Sequence, residues 1–459
     1  MVLGLGDTGL SMTRWLSRHG ARVTVADTRD DPPHVALLAR ELPDVALECG
    51  NFREASLSAA DLIAISPGID RRTPEVAAAI ARGTPVVGDV ELFAQALAHR
   101  LAPHVSRPTP RILGITGTNG KSTVTRMAGD ICVAAKLDTV VAGNIGTPVL
   151  DALTEIENGR AMPAAFVLEL SSFQLESTAS LNADATAMLN LSADHLDRYD
   201  DIDAYASAKA RVFQGTGAQV LNREDARSDA MALPSRIIHR FGLVEPGGER
   251  EWGIAQYGGT SWLARGGKRL MAVDELPVAG LHNAANALAA GALCHAIGIA
   301  DAPIVAALRN FKGLPHRVER VAEFKGVTFY DDSKGTNVGS TVAALNGFTR
   351  PVVLIAGGDG KGQEFAPLCA PVARHARAVV LIGRDREQIA TALVDCNVPL
   401  ERAADMDIAV RKAFAASRSG DAVLLSPACA SYDMFRNYAH RGEMFAVAVR
   451  NLVKSDGRH

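Results

Sequence analysis

Residues 111–123 read RILGITGTNGKST, a short apolar strand pattern followed by a glycine-rich turn and a helical pattern that continues through Ala135. Glycines let backbone N–H groups turn toward an anion, and the start of a helix adds partial positive charge. A lysine at this place reaches the outer phosphates of a nucleotide, and a following hydroxyl group can ligate Mg²⁺. The segment predicts an ATP-binding loop formed by Gly117, Thr118, Asn119, Gly120, Lys121, Ser122 and Thr123.

The spacing of this loop departs from the GxxxxGK[ST] pattern, because Ile115 occupies the position of the first glycine. The alternative is a plain strand-to-helix turn. That alternative leaves the lysine and the two hydroxyl residues after it unexplained, so we expect a nucleotide loop.

Short β-branched runs, glycine-containing turns and helical periods alternate along the chain, which is typical of βαβ units and a parallel sheet. The fold class is therefore predicted to be α/β. The clearest predicted strands cover residues 23–27, 111–115, 164–170, 352–355, 378–382 and 422–425.

Two proline-containing stretches, 102–110 and 311–315, indicate joints between domains, because proline continues neither a helix nor a central strand. Glycine-punctuated segments at 236–278 predict a small antiparallel insertion. We expect three domains: a Rossmann-like N-terminal domain, a central P-loop ATPase domain with a parallel sheet, and a Rossmann-like C-terminal domain, covering residues 1–98, 99–313 and 314–459.

Composition excludes several classes of protein. The 459 residues are 47% hydrophobic and 22% charged with a net charge of −3, and they contain no basic run of the kind that binds nucleic acid. No apolar stretch approaches the roughly 20 residues of a membrane span, so we expect no membrane insertion and a cytoplasmic protein. The six cysteines are scattered without a CxxC pair, which favours a reducing compartment over a disulfide scaffold.

A second glycine pattern lies at the start of the chain. Gly4, Gly6 and Gly9 fit GxGxxG, and Asp27 ends the next strand about 20 residues later. The pattern is compatible with NAD, with the diphosphate of another nucleotide, or with a structural turn. Only Met1, Val2 and Leu3 precede Gly4, so we expect the natural chain to begin a few residues earlier.

Further motifs follow the ATP loop in a fixed order over nearly the whole chain. This order resembles the Mur ligase family, and the motifs are GNIG (143–146), ELSSFQLE (169–176), DHLDRY (194–199), Lys209, HNAAN (282–286), LPHR (314–317), DSKGTN (332–337), GGDGK (357–361) and SPACAS (426–431).

The resemblance implies an enzyme of peptidoglycan synthesis. It would phosphorylate the carboxylate of UDP-N-acetylmuramoyl-L-alanine with ATP and let D-glutamate displace the phosphate, leaving ADP and phosphate. We expect a monomer with two Mg²⁺ sites. The expected catalytic groups are Lys121, Glu169, His195 and Lys209. The implied metal ligands are Ser122, Glu169, His195 and Lys209 as a carbamate.

Each of these ligands also has an ordinary explanation. Glu169 ends an apolar strand, where a structural ion pair would explain it. His195 could be an unremarkable loop histidine. Lys209 lies in a helical stretch at 201–213, where a lysine ordinarily faces solvent, and only the resemblance implies its carbamylation.

The resemblance also assigns nucleotide contacts. Asn283 and Asn286 would read adenine, although Asn283 is equally a helix cap. Arg317 and Asp332 would contact the phosphates and ribose of ATP, or form a surface pair. The positions matching the uridine-nucleotide pocket are Gly6, Thr8, Asp27, Thr28, Arg29, Gly68, Asn144, Ser171 and His195, while Asp7 replaces a typical apolar residue.

D-Glutamate carries two carboxylates, so its pocket requires cations, hydroxyls or amides. Tyr438 stands where relatives carry phenylalanine. The matching positions after C-terminal strands are Lys334, Thr336, Lys361, Ser431 and Tyr438.

Three other functions compete with this one. A Mur-type or folylpolyglutamate-type ligase could add a different amino acid, although folate-type relatives lack the roughly 100 residues before the ATP loop. A P-loop NTPase acting as a switch or motor would hydrolyse nucleotide without an acceptor. An NAD enzyme would use the first glycine turn but would leave Lys121 unexplained.

Overall fold

The computed structural model describes residues 1–100, 109–278 and 280–456. These residues form two compact units, and the first contains Met1–Leu191, Asp203–Met271 and Ala287–Leu308. The second contains Ser192–Ile202, Ala272–Asn286 and the chain from Arg309 onward. Three sheets with flanking helices confirm the predicted α/β class and three-domain organisation. Most of the first predicted joint, residues 102–108, lies outside the described residues.

The N-terminal sheet is entirely parallel, with strand order β3-β2-β1-β4-β5. Its elements are β1 Val2–Leu3, α1 Asp7–Arg18, β2 Thr24–Asp27, α2 Val35–Glu41, β3 Ala46–Cys49, α3 Glu54–Ser58, β4 Ile63–Ile65, α4 Pro74–Ala81, β5 Val86–Val87 and α5 Asp89–Arg100. Although β1 has only two residues, both are buried and pair with β2 and β4. The strand order reverses beside β1, where ligands bind in open parallel sheets.

The central sheet has the order β14-β13-β12-β11-β10-β9-β6-β8-β7. Its strands and associated helices are β6 Arg111–Thr116, α6 Lys121–Ala134, β7 Thr139–Gly143, α7 Val149–Glu157, β8 Ala165–Glu169, α8 Ser172–Glu176, β9 Ala185–Met188, α9 Ile202–Ala210, β10 Ala218–Asn222, α10 Ala226–Asp229, β11 Ile238–Phe241, β12 Glu251–Tyr257, β13 Thr260–Arg265, β14 Lys268–Ala272, α11 Leu281–Ala296 and α12 Asp301–Arg309.

The segment predicted as an antiparallel insertion at 236–278 forms one edge of the central sheet. Strand β11 is parallel to both β10 and β12, whereas β12 and β13 form the expected antiparallel hairpin. The glycines at the β12–β13 turn, Gly258 and Gly259, have φ of 57° and 78°, which favours a tight hairpin. The local pattern predicts this hairpin but not the partner of its first strand, because strand pairing depends on distant residues.

The C-terminal sheet is parallel apart from its edge strand β15, with the order β15-β16-β20-β17-β18-β19. In strand β17 (Val352–Gly357), Leu354 packs into one hydrophobic core, while Val353 and Ile355 pack into another on the opposite face. Burial of both faces explains the continuous apolar run of β17. The elements are β15 Glu319–Phe324, β16 Val327–Asp331, α13 Val338–Asn346, β17 Val352–Gly357, α14 Cys369–His375, β18 Ala376–Ile382, α15 Arg386–Ala392, β19 Leu400–Arg402, α16 Met406–Ala416, β20 Ala422–Leu425 and α17 Tyr438–Asp456. Among the described residues of all three sheets, four 3₁₀ turns cover Arg211–Phe213, Val273–Glu275, Ala366–Leu368 and Val394–Cys396.

The six strands predicted from sequence are all confirmed, with ends within two residues of the observed ones. Cys369 and Cys396 form a disulfide with a Cα–Cα distance of 5.7 Å, while the other four cysteines are free. The separation of 27 residues between the two cysteines does not predict this pair. They meet because α14 packs beside the 3₁₀ turn Val394–Cys396. Within the described ranges, no helix is long and apolar enough to cross a membrane.

Candidate active site

The predicted ATP loop joins β6 to α6. Gly117 and Gly120 have φ of 149° and 85°, in the region that favours glycine. A Cβ on Gly117 would lie 2.9 Å from the Leu189 side chain, so a larger residue would clash there. Gly120 precedes α6 without a side-chain cap. A 14-residue helix that starts in this way stabilises an anion through its backbone N–H groups and its dipole.

The Lys121 side chain folds back over this loop. Its Nζ donates to Gly117 O at 2.9 Å and to Thr118 O at 2.8 Å. The adjacent hydroxyl residues Ser122 and Thr123 are buried. The lysine charge is therefore held at the loop, where it can offset the charge of a phosphate.

Asn190, which the sequence did not single out, fastens the loop to the end of β9. Thr118 N donates to Asn190 O at 2.8 Å, and Asn119 N donates to Asn190 Oδ1 at 2.8 Å. In return Asn190 Nδ2 donates to Asn119 O at 3.0 Å. The loop is thus pre-ordered by contacts from a neighbouring strand.

Lys209 does not face solvent. Its residue is 1% exposed, and Nζ donates to Gly117 O at 2.8 Å and lies 3.4 Å from Thr116 Oγ1. The Tyr205 ring lies beneath the ammonium, 4.7 Å from Nζ to the ring centroid. Helix α9 therefore delivers a buried lysine to the ATP loop, which the ordinary expectation for a helical lysine missed.

Glu169 ends β8 in register with Ile115 on β6, one strand away from the start of the ATP loop. The residue is 1% exposed, and its Oε1 accepts a hydrogen bond from Asn144 Nδ2 at 2.7 Å. Oε2 is buried with no hydrogen-bond partner in the described part of the chain, and no ion pair to Glu169 is found there either. The ion-pair explanation therefore has no support, and a buried carboxylate oxygen is left unsatisfied at considerable cost.

Two residues predicted to contact the uridine substrate lie beside Glu169. Asn144 orients its carboxylate, and Asn144 N also donates to Glu169 O at 2.8 Å. Ser171 caps α8 in a capping box with Gln174. Gln174 Nε2 in turn donates to the Asp89 carboxylate at 3.2 Å, and burial raises the pKa of Asp89 to about 6.

At the first glycine turn, Asp27 holds the backbone together. Leu5 N donates to its Oδ2 at 2.7 Å, and Arg29 binds both of its oxygens. Burial raises the pKa of Asp27, but the hydrogen bonds from Arg29 and Leu5 outweigh this and lower it to about 2. Thr28 and Gly68 are exposed nearby on the strand ends.

A cleft of about 370 Å³ lies against the start of α1. Its lining includes Thr8 and Asn144, which the sequence analysis assigned to the same substrate. Asp7 also lines it, with a side chain that is 87% exposed and an Oδ1 that lies 2.7 Å from His34 Nε2. The added carboxylate is thus at the cleft, within hydrogen-bond distance of a histidine.

His195 belongs to the second unit, whereas Ser122, Glu169 and Lys209 belong to the first. His195 has φ of 55°, and its N–H donates to Asp194 Oδ1 at 3.0 Å. The buried Asp194 carboxylate also accepts from Lys361 Nζ at 2.8 Å and from Asn337 Nδ2 at 3.2 Å. The segment bearing His195 is therefore linked to a predicted D-glutamate residue.

The candidate adenine and phosphate residues Asn283, Asn286 and Asp332 lie in the second unit. Asn283 and Asn286 share a face of α11, with Asn286 Nδ2 3.4 Å from Asn283 Oδ1. Asn283 lies inside the helix rather than at its cap. Asp332 is buried, so it is not part of a surface pair; burial raises its pKa to about 7, against the hydrogen bond from Ser426 and the charge of Arg317.

The candidate D-glutamate residues follow three adjacent strands of the C-terminal sheet. Lys334 and Thr336 follow β16, Lys361 follows β17, and Ser431 follows β20. Tyr438 starts α17, and its ring lies 3.7 Å from Lys334 Nζ. The carboxyl ends of β16, β20 and β17 lie side by side, so two lysines and a hydroxyl are grouped at one edge.

Comparison with known proteins explains this arrangement. Three family models match in succession: the N-terminal domain of MurD-like Mur ligases at residues 1–88, the Mur ligase middle domain at 115–294, and the Mur ligase glutamate ligase domain at 316–429. The chain belongs to the Mur ligase family. A UDP-N-acetylmuramoylalanine–D-glutamate ligase from Thiobacillus denitrificans is 57% identical over 99% of this chain and 96% of its own length.

Another Mur ligase of the same name, from Methylobacillus flagellatus, is 56% identical over 99% of this chain and 97% of its own. Among solved structures, the UDP-N-acetylmuramate–alanine ligase MurC from Thermotoga maritima superposes with a TM-score of 0.61 at 18% identity, covering 98% of each chain. The two proteins thus share the Mur ligase fold although few of their residues are identical.

Residues of this Mur ligase fit a divalent cation at the ATP loop. The unsatisfied Oε2 of Glu169 and the buried hydroxyl of Ser122 are oxygen donors of the type Mg²⁺ prefers. Lys209 in its ammonium form offers no ligand. Carbamylation would convert it into an oxygen donor beside the same loop.

Three polar residues of this Mur ligase went unrecognised from sequence as members of the site: Asn190, Asn337 and Arg441. Each acts through hydrogen bonds to loops. Asn337 ends the DSKGTN motif, but the motif did not assign it a role. The hydrogen bonds of all three residues depend on tertiary contacts that are not readable from one sequence.

Proposed function

We propose that this Mur ligase uses ATP to join D-glutamate to UDP-N-acetylmuramoyl-L-alanine during peptidoglycan precursor synthesis. The observation that carries the proposal is the ATP loop, where Lys121 and the buried Lys209 converge on Gly117 O. The name and 57% identity of the Thiobacillus denitrificans relative supply the substrates.

The first step is phosphoryl transfer. An oxygen of the L-alanyl carboxylate attacks the γ-phosphorus of ATP, the bond to the β,γ-bridging oxygen breaks, and ADP leaves with an acyl phosphate remaining. Both reactants are anionic, so fixed positive charge lowers the barrier. We assign that role to Lys121 at the loop.

The second step forms the amide. The neutral amine of D-glutamate attacks the acyl carbon, the carbon–oxygen bond to phosphate breaks, phosphate leaves, and the nitrogen loses a proton. We assign the two glutamate carboxylates to Lys334, Lys361, Thr336, Ser431 and Tyr438. Grouping cations and hydroxyls at one sheet edge matches a dianionic amino acid.

Bound Mg²⁺ would supply positive charge against the phosphates. We assign its ligands to Ser122, Glu169, His195 and Lys209 as the carbamate, formed when the neutral amine adds to CO₂ and loses a proton. Asn283, Asn286, Arg317 and Asp332 are assigned to ATP, and Gly6, Thr8, Asp27, Thr28, Arg29, Gly68, Asn144 and Ser171 to the uridine substrate.

We further propose domain limits of 1–98, 99–313 and 314–459, a monomeric state and a cytoplasmic location. The NAD alternative has little support, because it leaves the ATP loop and Lys121 unexplained. Analytical ultracentrifugation tests the monomer.

The deciding experiment is phosphate release from ATP and Mg²⁺ in the presence of UDP-N-acetylmuramoyl-L-alanine. D-Glutamate is compared with L-glutamate, glycine, L-lysine and no amino acid. Release that requires both the nucleotide substrate and D-glutamate supports the proposal. Release with another amino acid keeps the ligase chemistry but shows a different amino-acid specificity. Release without an acceptor indicates an NTPase.

A further inference from the structure

Arg441 is a buried arginine that none of the roles above uses. It lies on α17, is 1% exposed, and is among the largest fully buried side chains of the described residues. Its Nε donates to Ser333 Oγ at 3.0 Å, Nη1 to Ala430 O at 3.2 Å, and Nη2 to Ser333 O at 2.9 Å and Cys429 O at 3.0 Å. One guanidinium therefore binds two loops through four hydrogen bonds.

Both loops carry candidate D-glutamate residues. Ser333 directly precedes Lys334, and Ala430 directly precedes Ser431. Ser333 Oγ also donates to Tyr438 O at 2.7 Å, which connects the first turn of α17 to the same network. Arg441 thus contacts the residues that precede Lys334 and Ser431. It is linked to Tyr438, a third proposed ligand, through Ser333.

The Lys361 loop joins this network one step away. Asp359 N donates to Ala430 O at 3.0 Å, and Ala430 N donates to Asp359 O at 2.8 Å. A Cβ on Gly358 would lie 2.2 Å from Ala430 O and 3.3 Å from Arg441 Nη1. The loop bearing Lys361 is therefore packed directly against the carbonyl that Arg441 holds.

Packing alone does not explain a charged residue at this place. Burial lowers the pKa of Arg441 to about 10, opposed by the charges of Cys429, Asp433, Asp331 and Asp332. Among the described residues no carboxylate forms an ion pair with it. An apolar side chain of similar volume would avoid that desolvation cost, but only a guanidinium provides several N–H groups in a fixed plane.

We propose that Arg441 is a positioning residue of the amino-acid site, which sets the spacing of Lys334, Lys361 and Ser431 without touching the amino acid. This inference rests on the proposed D-glutamate function. Because the Arg441 guanidinium binds carbonyls and a hydroxyl rather than substrate, loss of Arg441 should displace several of the proposed ligands together.

The test compares Arg441→Lys and Arg441→Met with the wild-type enzyme. We expect the KM for D-glutamate to rise about 10- to 100-fold, since displacement of ligands by about 1 Å has effects of that order. The KM for ATP and for the uridine substrate should stay within about twofold. Hydroxylamine trapping of the acyl phosphate without D-glutamate should persist, because that step precedes amino-acid binding.

Arg377→Met is the matched control. Arg377 lies in the same domain, near the amino end of β18, and pairs with Asp421 just before β20, at the edge of the sheet opposite to the site. Its loss should lower the thermal midpoint without changing the KM for D-glutamate. An equal rise in all three KM values on loss of Arg441, or an unchanged KM for D-glutamate, overturns the proposal.

Two further measurements keep the test decisive if Arg441→Met does not fold. Ser333→Ala removes only one partner of the guanidinium and the bond to Tyr438 O, and should raise the KM for D-glutamate severalfold. Guanidinium ion added to Arg441→Ala should restore that KM, whereas a purely structural defect would not respond. If the wild-type enzyme uses another amino acid, the proposed D-glutamate specificity fails. The KM for that other amino acid then tests the positioning role of Arg441.

Discussion

Two glycine-rich turns in this Mur ligase join a buried strand to a helix, yet charges of opposite sign surround them. The turn at 117–120 is contacted by two lysines, Lys121 and Lys209, which both donate to Gly117 O. The turn at 4–9 carries Asp7 at its helix start and Asp27 on the neighbouring strand. Their backbone patterns are alike, but their electrostatic surroundings are not.

The difference shows that glycine spacing alone does not define a ligand. At the first turn Leu5 N is already bonded to the Asp27 carboxylate, so a protein acceptor takes an N–H group that an anion would otherwise use. At the second turn the Lys121 ammonium group lies on the loop carbonyls of Gly117 and Thr118. A triphosphate therefore suits the second turn far better than the first.

Loss of Lys209 should have the largest effect. We expect Lys209→Ala to lower kcat about 10³-fold, equivalent to about 4 kcal/mol, because the variant lacks the amine that we propose becomes a carbamate ligand of Mg²⁺. A small carboxylate at high concentration should restore part of the rate in a phosphate-release assay. Lys136→Ala, at an exposed position after α6, is the control. Full activity of Lys209→Ala without additive would contradict the carbamate.

The first turn should respond to steric change. In Gly9→Ala the new Cβ would lie 1.8 Å from Gly4 O, so we expect a loss of about 3 kcal/mol in unfolding free energy. At Gly6 a Cβ has no neighbour within 4 Å, and φ is −87°. Gly6→Ala should therefore unfold in urea close to the wild type. Equal stability of the two variants would show that the turn is not tightly packed.

Asp27 should make the stability of the N-terminal domain depend on pH. Because its pKa is lowered from 3.8 to about 2, the ionised form stabilises the folded state fully above about pH 4, and this contribution disappears as the pH falls through about 2. Arg29 is half exposed, so solvent screening reduces the expected effect to about 1 kcal/mol.

Urea unfolding of Asp27→Asn and wild type at several pH values measures this contribution. The difference should be present at pH 6 and shrink below pH 4. The surface pair between Arg126 and Asp130 provides the control, since Asp130→Asn should change stability by less than about 0.5 kcal/mol. A pH-independent difference for Asp27→Asn would point to the lost shape rather than the charge.

Asp7 should give the smallest effect. Asp7→Asn removes a negative charge from the cleft, so the KM for the uridine substrate should fall about two- to fivefold at low salt, and the difference should fade at high salt. His34→Ala should change the KM in the opposite direction, because Asp7 would lose its partner at 2.7 Å. A KM that rises in Asp7→Asn would show that Asp7 is itself a ligand.

Much of the fold and part of the site could be predicted from sequence because the signals are local. A strand, two glycines and a lysine at 111–121 specify a phosphate loop through the conformations of adjacent residues. The apolar runs of β6, β17 and β20 identify buried parallel strands for the same reason. The residue assignments from the Mur ligase motifs remain predictions, although the structure groups several of them at strand ends.

The tertiary structure alone decided which polar groups are buried and what they contact. Lys209 and Arg441 lie in helical stretches whose sequence pattern gives them no special status, and Cys369 finds Cys396 across 27 residues. The unsatisfied oxygen of Glu169 depends on its neighbours on two other strands. A local pattern encodes backbone conformation, whereas burial and pairing depend on residues brought together by packing from distant parts of the chain.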